Sequence, residues 1–205
     1  MRTGRGKFIV IEGADGAGTT TQSKLLVEKL VAAGQRAHMT QEPSGGPIGK
    51  MIREMLSGHE QTELSWRRLA LLFAADRLHH YETEIEPLLS EGVHVVSDRY
   101  LLSSLIYQSL HAPLAWVAEI NRFAPPADAV FVIDIEESDA WARQQSRGGK
   151  KEVYDERELQ KEICHRYRTF IPQMNAIRIP GGDGIEEVSG RIVQALKSSV
   201  GLRFD

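Results

Sequence analysis

Residues Phe8 to Gln22 read FIVIEGADGAGTTTQ, and this stretch decides the fold. Four consecutive apolar residues, Phe8, Ile9, Val10 and Ile11, form a run of the length of a buried strand. Gly13, Gly16 and Gly18 then interrupt it. From Thr19 to Ala33 the pattern is helical, with Leu25, Leu26 and Leu30 on one face and Gly34 placed as a C-terminal cap. Strand, glycine loop and helix start form the frame of a phosphate-binding loop. Glycines let backbone N–H groups turn inward around an anion, and the positive end of the helix dipole adds to the attraction. The spacing fits G-x-x-x-x-G-K-[ST] at Gly13, Gly18 and Thr20, but Thr19 stands at the lysine position. An ordinary glycine turn between a strand and a helix would read the same way without the lysine, so the rest of the chain has to decide.

At 205 residues the chain suits one domain, 1–205, with a sizeable core. Hydrophobic content of 41% and charged content of 26% describe an ordinary globular protein. A net charge of -3 gives no support for a nucleic-acid or membrane surface, so an anion site must be a local concentration of positive charge. The single cysteine, Cys164, excludes an internal disulfide, and a reducing, cytoplasmic setting fits. No apolar run approaches transmembrane length.

Strand patterns recur at Arg36–Gln41, Val93–Ser97, Ala129–Ile135 and Ala176–Ile179. Helical patterns lie between and after them, at Ile48–Leu56, Leu64–Leu89, Leu101–Leu110, Leu114–Phe123, Asp139–Arg147, Glu156–Phe170 and Ile185–Leu196. This alternation predicts a parallel sheet covered on both faces. Ligands of such folds sit at the carboxyl ends of the strands, so the loops after Ile11, Gln41 and Ser97 are expected to converge on one crevice.

Four further stretches carry polar chemistry. TQEPSGGPIG, Thr40 to Gly49, reads as a structured loop with Pro47 opening the next helix. In LLFAADR, Phe73 and Arg77 are four apart on one helical face, where a ring can stack on a planar base while a guanidinium bonds its edge. In SDRYLLSSLIYQ, Asp98 offers a carboxylate for magnesium or its waters and Arg99 a fork for phosphate. Ser103, Ser104, Tyr107 and Gln108 follow at helical spacing. In RQQSRGGKKEVYDER, Arg143 and Arg147 are one turn apart, Gly148 and Gly149 form a hinge, and Lys150 and Lys151 follow, a basic flap suited to closing over a triphosphate. Each stretch alone also has a plain reading, as a turn, a packed helix, a cap or a solvated charged loop.

Taken together and in this order, GADGAGTTTQ, TQEPSGGPIG, LLFAADR and SDRYLLSSLIYQ resemble the thymidylate kinase family, over about Phe8 to Phe170. The resemblance implies a P-loop NTPase-type three-layer α/β/α fold with a parallel five-stranded sheet and a small lid at about 143–157. It implies transfer of a phosphoryl group from ATP to dTMP with Mg2+, in a homodimer. It places the ATP phosphates on Gly13, Ala14, Asp15, Gly16, Ala17, Gly18, Thr19 and Thr20, with magnesium at Thr20 and Asp98. By the same resemblance Asp15 meets the deoxyribose 3′-hydroxyl or the magnesium shell, Pro43 and Phe73 sandwich thymine, and Arg77 bonds its carbonyl edge. Arg99 takes the acceptor phosphate, Tyr107 crowds a 2′-hydroxyl, and Ser103, Ser104 and Gln108 complete the contacts. Gly16 stands where some members carry a loop arginine, so Arg143 and Arg147 are expected to supply the cations from the lid.

Two departures remove positive charge. Thr19 replaces the phosphate lysine, and Gln41 replaces an arginine of the second motif. The acceptor oxygen is already ionised, so catalysis is in-line positioning plus charge stabilisation rather than proton abstraction. Three readings therefore stand open at this point: an active dTMP kinase, a kinase for another nucleotide, and a nucleotide-binding sensor or scaffold.

Overall fold

The computed structural model describes residues 4–57, 65–146 and 157–204. Arg147, Gly148, Gly149, Lys150 and Lys151 lie outside the described residues, and with them most of the expected lid.

Five strands, β1 (Phe8–Gly13), β2 (Ala37–Gln41), β3 (His94–Asp98), β4 (Ala129–Asp134) and β5 (Ile177–Pro180), form one sheet in the order β2-β3-β1-β4-β5. Every neighbouring pair is parallel. Helices connect them: α1 (Thr19–Ala32), α2 (Pro47–Leu56), α3 (Trp66–His80), α4 (Glu86–Ser90), α5 (Leu101–Tyr107), α6 (Leu114–Ile120), α7 (Glu137–Ser146), α8 (Arg157–Gln173) and α9 (Ile185–Val200). Among the described residues no helix is long and apolar enough to cross a membrane.

The period of two along β1 builds the layers. Ile9 and Ile11 enter a cluster with Leu26 and Leu30 of α1 and Ile192 and Leu196 of α9. Phe8 and Val10 enter a second cluster with Ile85 and Leu89. Both faces of the sheet are therefore covered, as a run without polar alternation requires.

Two details position the site. The chain leaves β1 toward β2 on one side and leaves β3 toward β4 on the other, so the strand order reverses between β1 and β3. A parallel sheet opens a crevice at such a point, beyond the carboxyl ends. In register, Gln41 pairs with Asp98 and Asp98 with Ile11, which sets the ends of β2, β3 and β1 level. The expected convergence of three loops follows.

The helix expected over Leu64–Leu89 is interrupted. A π-helical turn occupies Tyr81–Ile85 between α3 and α4. Pro87 has no N–H to return to the preceding turn, and the Thr83 hydroxyl bonds the His79 carbonyl at 2.6 Å. Gly34 does end α1, with φ 74 and its N–H on the Val31 carbonyl at 2.9 Å.

Candidate nucleotide site

The glycine loop joins β1 to α1. Gly16 and Gly18 both have left-handed φ, 87 and 92. Ala14 and Ala17 bury their methyls in the main core, and the Ala17 N–H closes on the Ala14 carbonyl at 3.0 Å. A Cβ on Gly16 would lie 2.2 Å from the Ala140 carbonyl oxygen, so α7 presses directly on the loop. Arg143 follows Ala140 by three residues, on the same face of α7, and donates to the Gly181 carbonyl at 3.4 Å.

At the loop's end the Thr20 hydroxyl donates to Asp98 Oδ2 at 2.5 Å. Asp98 Oδ1 is buried with no hydrogen-bond partner. A hydroxyl beside a carboxylate oxygen with unused lone pairs fits Mg2+, a hard cation that takes one or two protein oxygens and keeps several waters. Among the described residues no group of three or more His, Cys, Asp or Glu side chains could hold a metal by itself, and a phosphate-bound magnesium needs none.

An open cleft of about 590 Å³ lies beside the loop. It is lined by Asp15, Glu42, Pro43, Leu56, Phe73, Arg77, Arg99, Tyr100, Ser103, Ser104, Tyr107 and Gln108. Every residue expected to hold the acceptor is in this lining. Thr19, Thr20, Asp98 and Arg143 are not.

Arg99 is the centre of the polar wall. Its backbone is left-handed, φ 71, pinned by its N–H on the Ile11 carbonyl at 2.9 Å and by the Ser97 hydroxyl on its carbonyl at 2.7 Å. Its guanidinium donates to Asp15 at 2.5 Å and to the Gly13 carbonyl at 2.9 Å. Burial opposes its charge, but Tyr107, Asp15 and Tyr167 outweigh that and hold its pKa well above the ordinary value. The Tyr107 hydroxyl donates to Asp15 at 3.1 Å, and burial keeps this phenol neutral by pushing its pKa well up.

The base end of the cleft is held by contacts from three elements. Asp76 of α3 accepts from both the N–H and the hydroxyl of Ser44 at 2.6 Å, and Arg53 of α2 donates to the Pro43 and Ser44 carbonyls. These fix the loop carrying Pro43 across from Phe73. Arg77, 1% exposed, is ion-paired to Glu42 at 2.8 Å, donates to Ser104 at 2.8 Å and reaches Asn121 of the turn after α6. Gln108 is buried with its amide oxygen unpartnered.

Some contributors were not expected. Glu42, Asp76 and Arg53 organise the acceptor wall from within stretches read for other residues, while Asn121 and Tyr167 come from helical patterns with no visible signal. Glu12 had one, a carboxylate at the end of an otherwise apolar strand, which must be paired when buried. Gln41, by contrast, is exposed and outside the lining. Cys164 is buried, and burial pushes its thiol up to about 11, as for a packed, inert cysteine.

The family model described as thymidylate kinase matches residues 11–192. The chain is 38% identical over 198 residues to a probable thymidylate kinase of Pyrococcus horikoshii, covering 94% of this chain and 97% of that one. It is 44% identical over 175 residues to a probable thymidylate kinase of Methanococcus maripaludis, covering 85% and 82%. The fold superposes on a solved thymidylate kinase structure from Candida albicans with a TM-score of 0.80, at 22% identity over 95% of this chain and 92% of that chain. The sheet order, the glycine loop and the cleft thus meet an independent match over most of the length: the chain belongs to the thymidylate kinase family.

Proposed function

We propose that this protein transfers the γ-phosphoryl group of ATP to dTMP, giving dTDP and ADP. The observation that carries the reading is the adjacency of two unlike walls. Arg99 and Asp15, joined by the Tyr107 hydroxyl, form a polar wall beside the glycine loop, and Pro43, Phe73 and Arg77 line the same cleft.

In this reading the amides of Gly13 to Thr20 hold the ATP phosphates, Arg99 holds the acceptor phosphate, and Asp15 takes the 3′-hydroxyl or the magnesium shell. Thymine lies between Pro43 and Phe73, with Arg77 at its carbonyl edge. Ser103, Ser104 and Gln108 complete the polar contacts, and Tyr107 closes the space a 2′-hydroxyl would need. Thr20 and Asp98 hold Mg2+, which neutralises charge on the phosphates. The acceptor is already an anion, so the residues act by alignment and charge stabilisation. Arg143 serves the donor side from α7, with Arg147 and the rest of a lid over about 143–157. The chain works as a single domain in the cytoplasm and forms a homodimer. Exposed Met51 of α2 and Leu71 of α3 support the dimer as available apolar surface.

The test is ADP production from ATP in the presence of magnesium. Turnover that depends on dTMP, and exceeds that with UMP, CMP or thymidine, is the expected result. Absence of turnover with dTMP, or a better acceptor in the panel, overturns it.

A further inference from the structure

Glu12 is the last charged residue of β1 before the loop and is completely buried. Every contact it makes is as an acceptor. Oε1 takes the N–H of Tyr100 at 2.9 Å and of Ser103 at 3.2 Å. Oε2 takes the Ser103 hydroxyl at 2.6 Å and the Tyr167 hydroxyl at 3.1 Å. Two of these donors, the Ser103 and Tyr167 hydroxyls, also touch the guanidinium of Arg99, whose backbone is left-handed.

The direction of the two hydroxyls matters. A serine or tyrosine has one proton to give, and a proton committed to a carboxylate leaves only lone pairs for other neighbours. Arg99 Nη1 donates to those same two oxygens, Ser103 Oγ at 3.2 Å and Tyr167 at 3.3 Å. The two hydroxyls also lie 2.9 Å apart, so Glu12 takes the Ser103 proton and draws that of Tyr167 either directly or through Ser103 Oγ, and both oxygens turn lone pairs toward the guanidinium. Glu12 also places a negative charge one hydroxyl behind a positive one, where the buried setting strengthens their interaction. Burial raises the pKa of Glu12 against the pull of the Ser103 hydrogen bond, and it keeps Tyr167 a neutral phenol able to donate.

We propose that Glu12 is a positioning residue for the acceptor-phosphate arginine: through Ser103 and Tyr167 it sets the polarity and direction of the Arg99 guanidinium. Resting on the reading of Arg99 as the phosphate group's partner, the proposal assigns Glu12 no contact with substrate. In Glu12→Gln the shape is retained, but the new amide N–H groups compete to donate to Ser103 and Tyr167, whose protons then turn toward Arg99. Tyr167→Phe removes one of the two hydroxyls and keeps the ring.

The experiment measures equilibrium binding of dTMP and of thymidine, which lacks the phosphate, to the full-length wild type and both variants. Glu12→Gln is expected to weaken dTMP roughly tenfold or more, the scale of one charged hydrogen bond, with thymidine within about twofold. Tyr167→Phe is expected to move dTMP in the same direction by less. If Glu12→Gln does not fold, Tyr167→Phe decides alone. Equal weakening of both ligands, the signature of a merely structural role, overturns the proposal, and so does a dTMP affinity unchanged in the variants. Failure of the wild type to bind dTMP at all is a different result and falls on the proposed function.

Discussion

Thr19 occupies the position where a phosphate loop ordinarily carries its cation, and it is only 6% exposed. Its Cγ2 lies 3.2 Å from where Gly13 would carry a Cβ, so the side chain packs beneath the loop rather than reaching out of it. Losing one preorganised donor at a site of charge development costs about 3 kcal/mol, or roughly 100-fold to 1,000-fold in rate. Arg143 is within reach of α7's contact with the loop, yet its guanidinium bonds the Gly181 carbonyl. Thr19→Lys is therefore expected to raise kcat by about tenfold or more, since a donor is restored where charge develops in the transition state. The KM for dTMP should stay nearly constant, because the acceptor cleft does not include position 19. Steady-state kinetics with ATP and dTMP check this. A kcat within about twofold of wild type would mean that another cation already does the lysine's work.

At the level of elements, the contact between α7 and the glycine loop makes a second prediction. Position 16 combines φ 87 with a Cβ site 2.2 Å from the Ala140 carbonyl oxygen, a backbone atom of a buried residue. Gly16→Arg, which would install the loop arginine of other members, must either move α7 or distort the loop. Overpacking and the left-handed strain together cost roughly 2–5 kcal/mol. For a domain of this size the thermal midpoint should fall by about 5 °C or more, and turnover should fall with it. An unchanged midpoint with faster turnover would show that α7 yields freely. This incompatibility was half legible from the residues: Gly16 visibly excluded a loop arginine, but the reason lies in a helix more than a hundred residues away. The same division runs through the site. Asp98 and Arg99 could be read because a strand end fixes where they stand, and Phe73 with Arg77 because helical spacing fixes a shared face. Glu42, Asn121 and Tyr167 could not, since burial around Arg77 and Arg99 is set by tertiary packing rather than by local period. The π-turn after His80 was half legible: Pro87 marks a missing backbone bond, but the apolar period runs on through it and so reads as one regular helix.

At the scale of the whole molecule, stability depends on how the sheet is closed at its amino end, away from the cleft. The Lys7 N–H donates to His94 Nδ1 at 2.9 Å, and the Phe8 N–H donates to Asp128 at 2.8 Å, so β1 enters the sheet between a histidine and a carboxylate. Partial burial, followed by the nearby Lys7 charge, lowers the His94 pKa, while Asp128 acts the other way. Protonation would convert the acceptor nitrogen to a donor facing a donor. With the folded pKa below the unfolded one near 6.5, the unfolded chain binds more protons in the interval between them. Stability contributed by neutral His94 is thus fully present above about 6.5 and is lost as pH falls toward the folded value. A hydrogen bond of this kind is worth about 1 kcal/mol, so its loss should lower the thermal midpoint by about 2–4 °C. Midpoints measured from about pH 7.5 down to about pH 5.5 should fall more steeply for wild type than for His94→Asn, whose amide oxygen accepts from Lys7 without titrating. Taking the difference between the two proteins cancels groups common to both, including Glu12, whose raised pKa has the opposite sign: its contribution weakens as pH rises above the ordinary carboxylate range. Parallel curves for the two proteins would remove His94 from the account and leave the acid sensitivity to other groups.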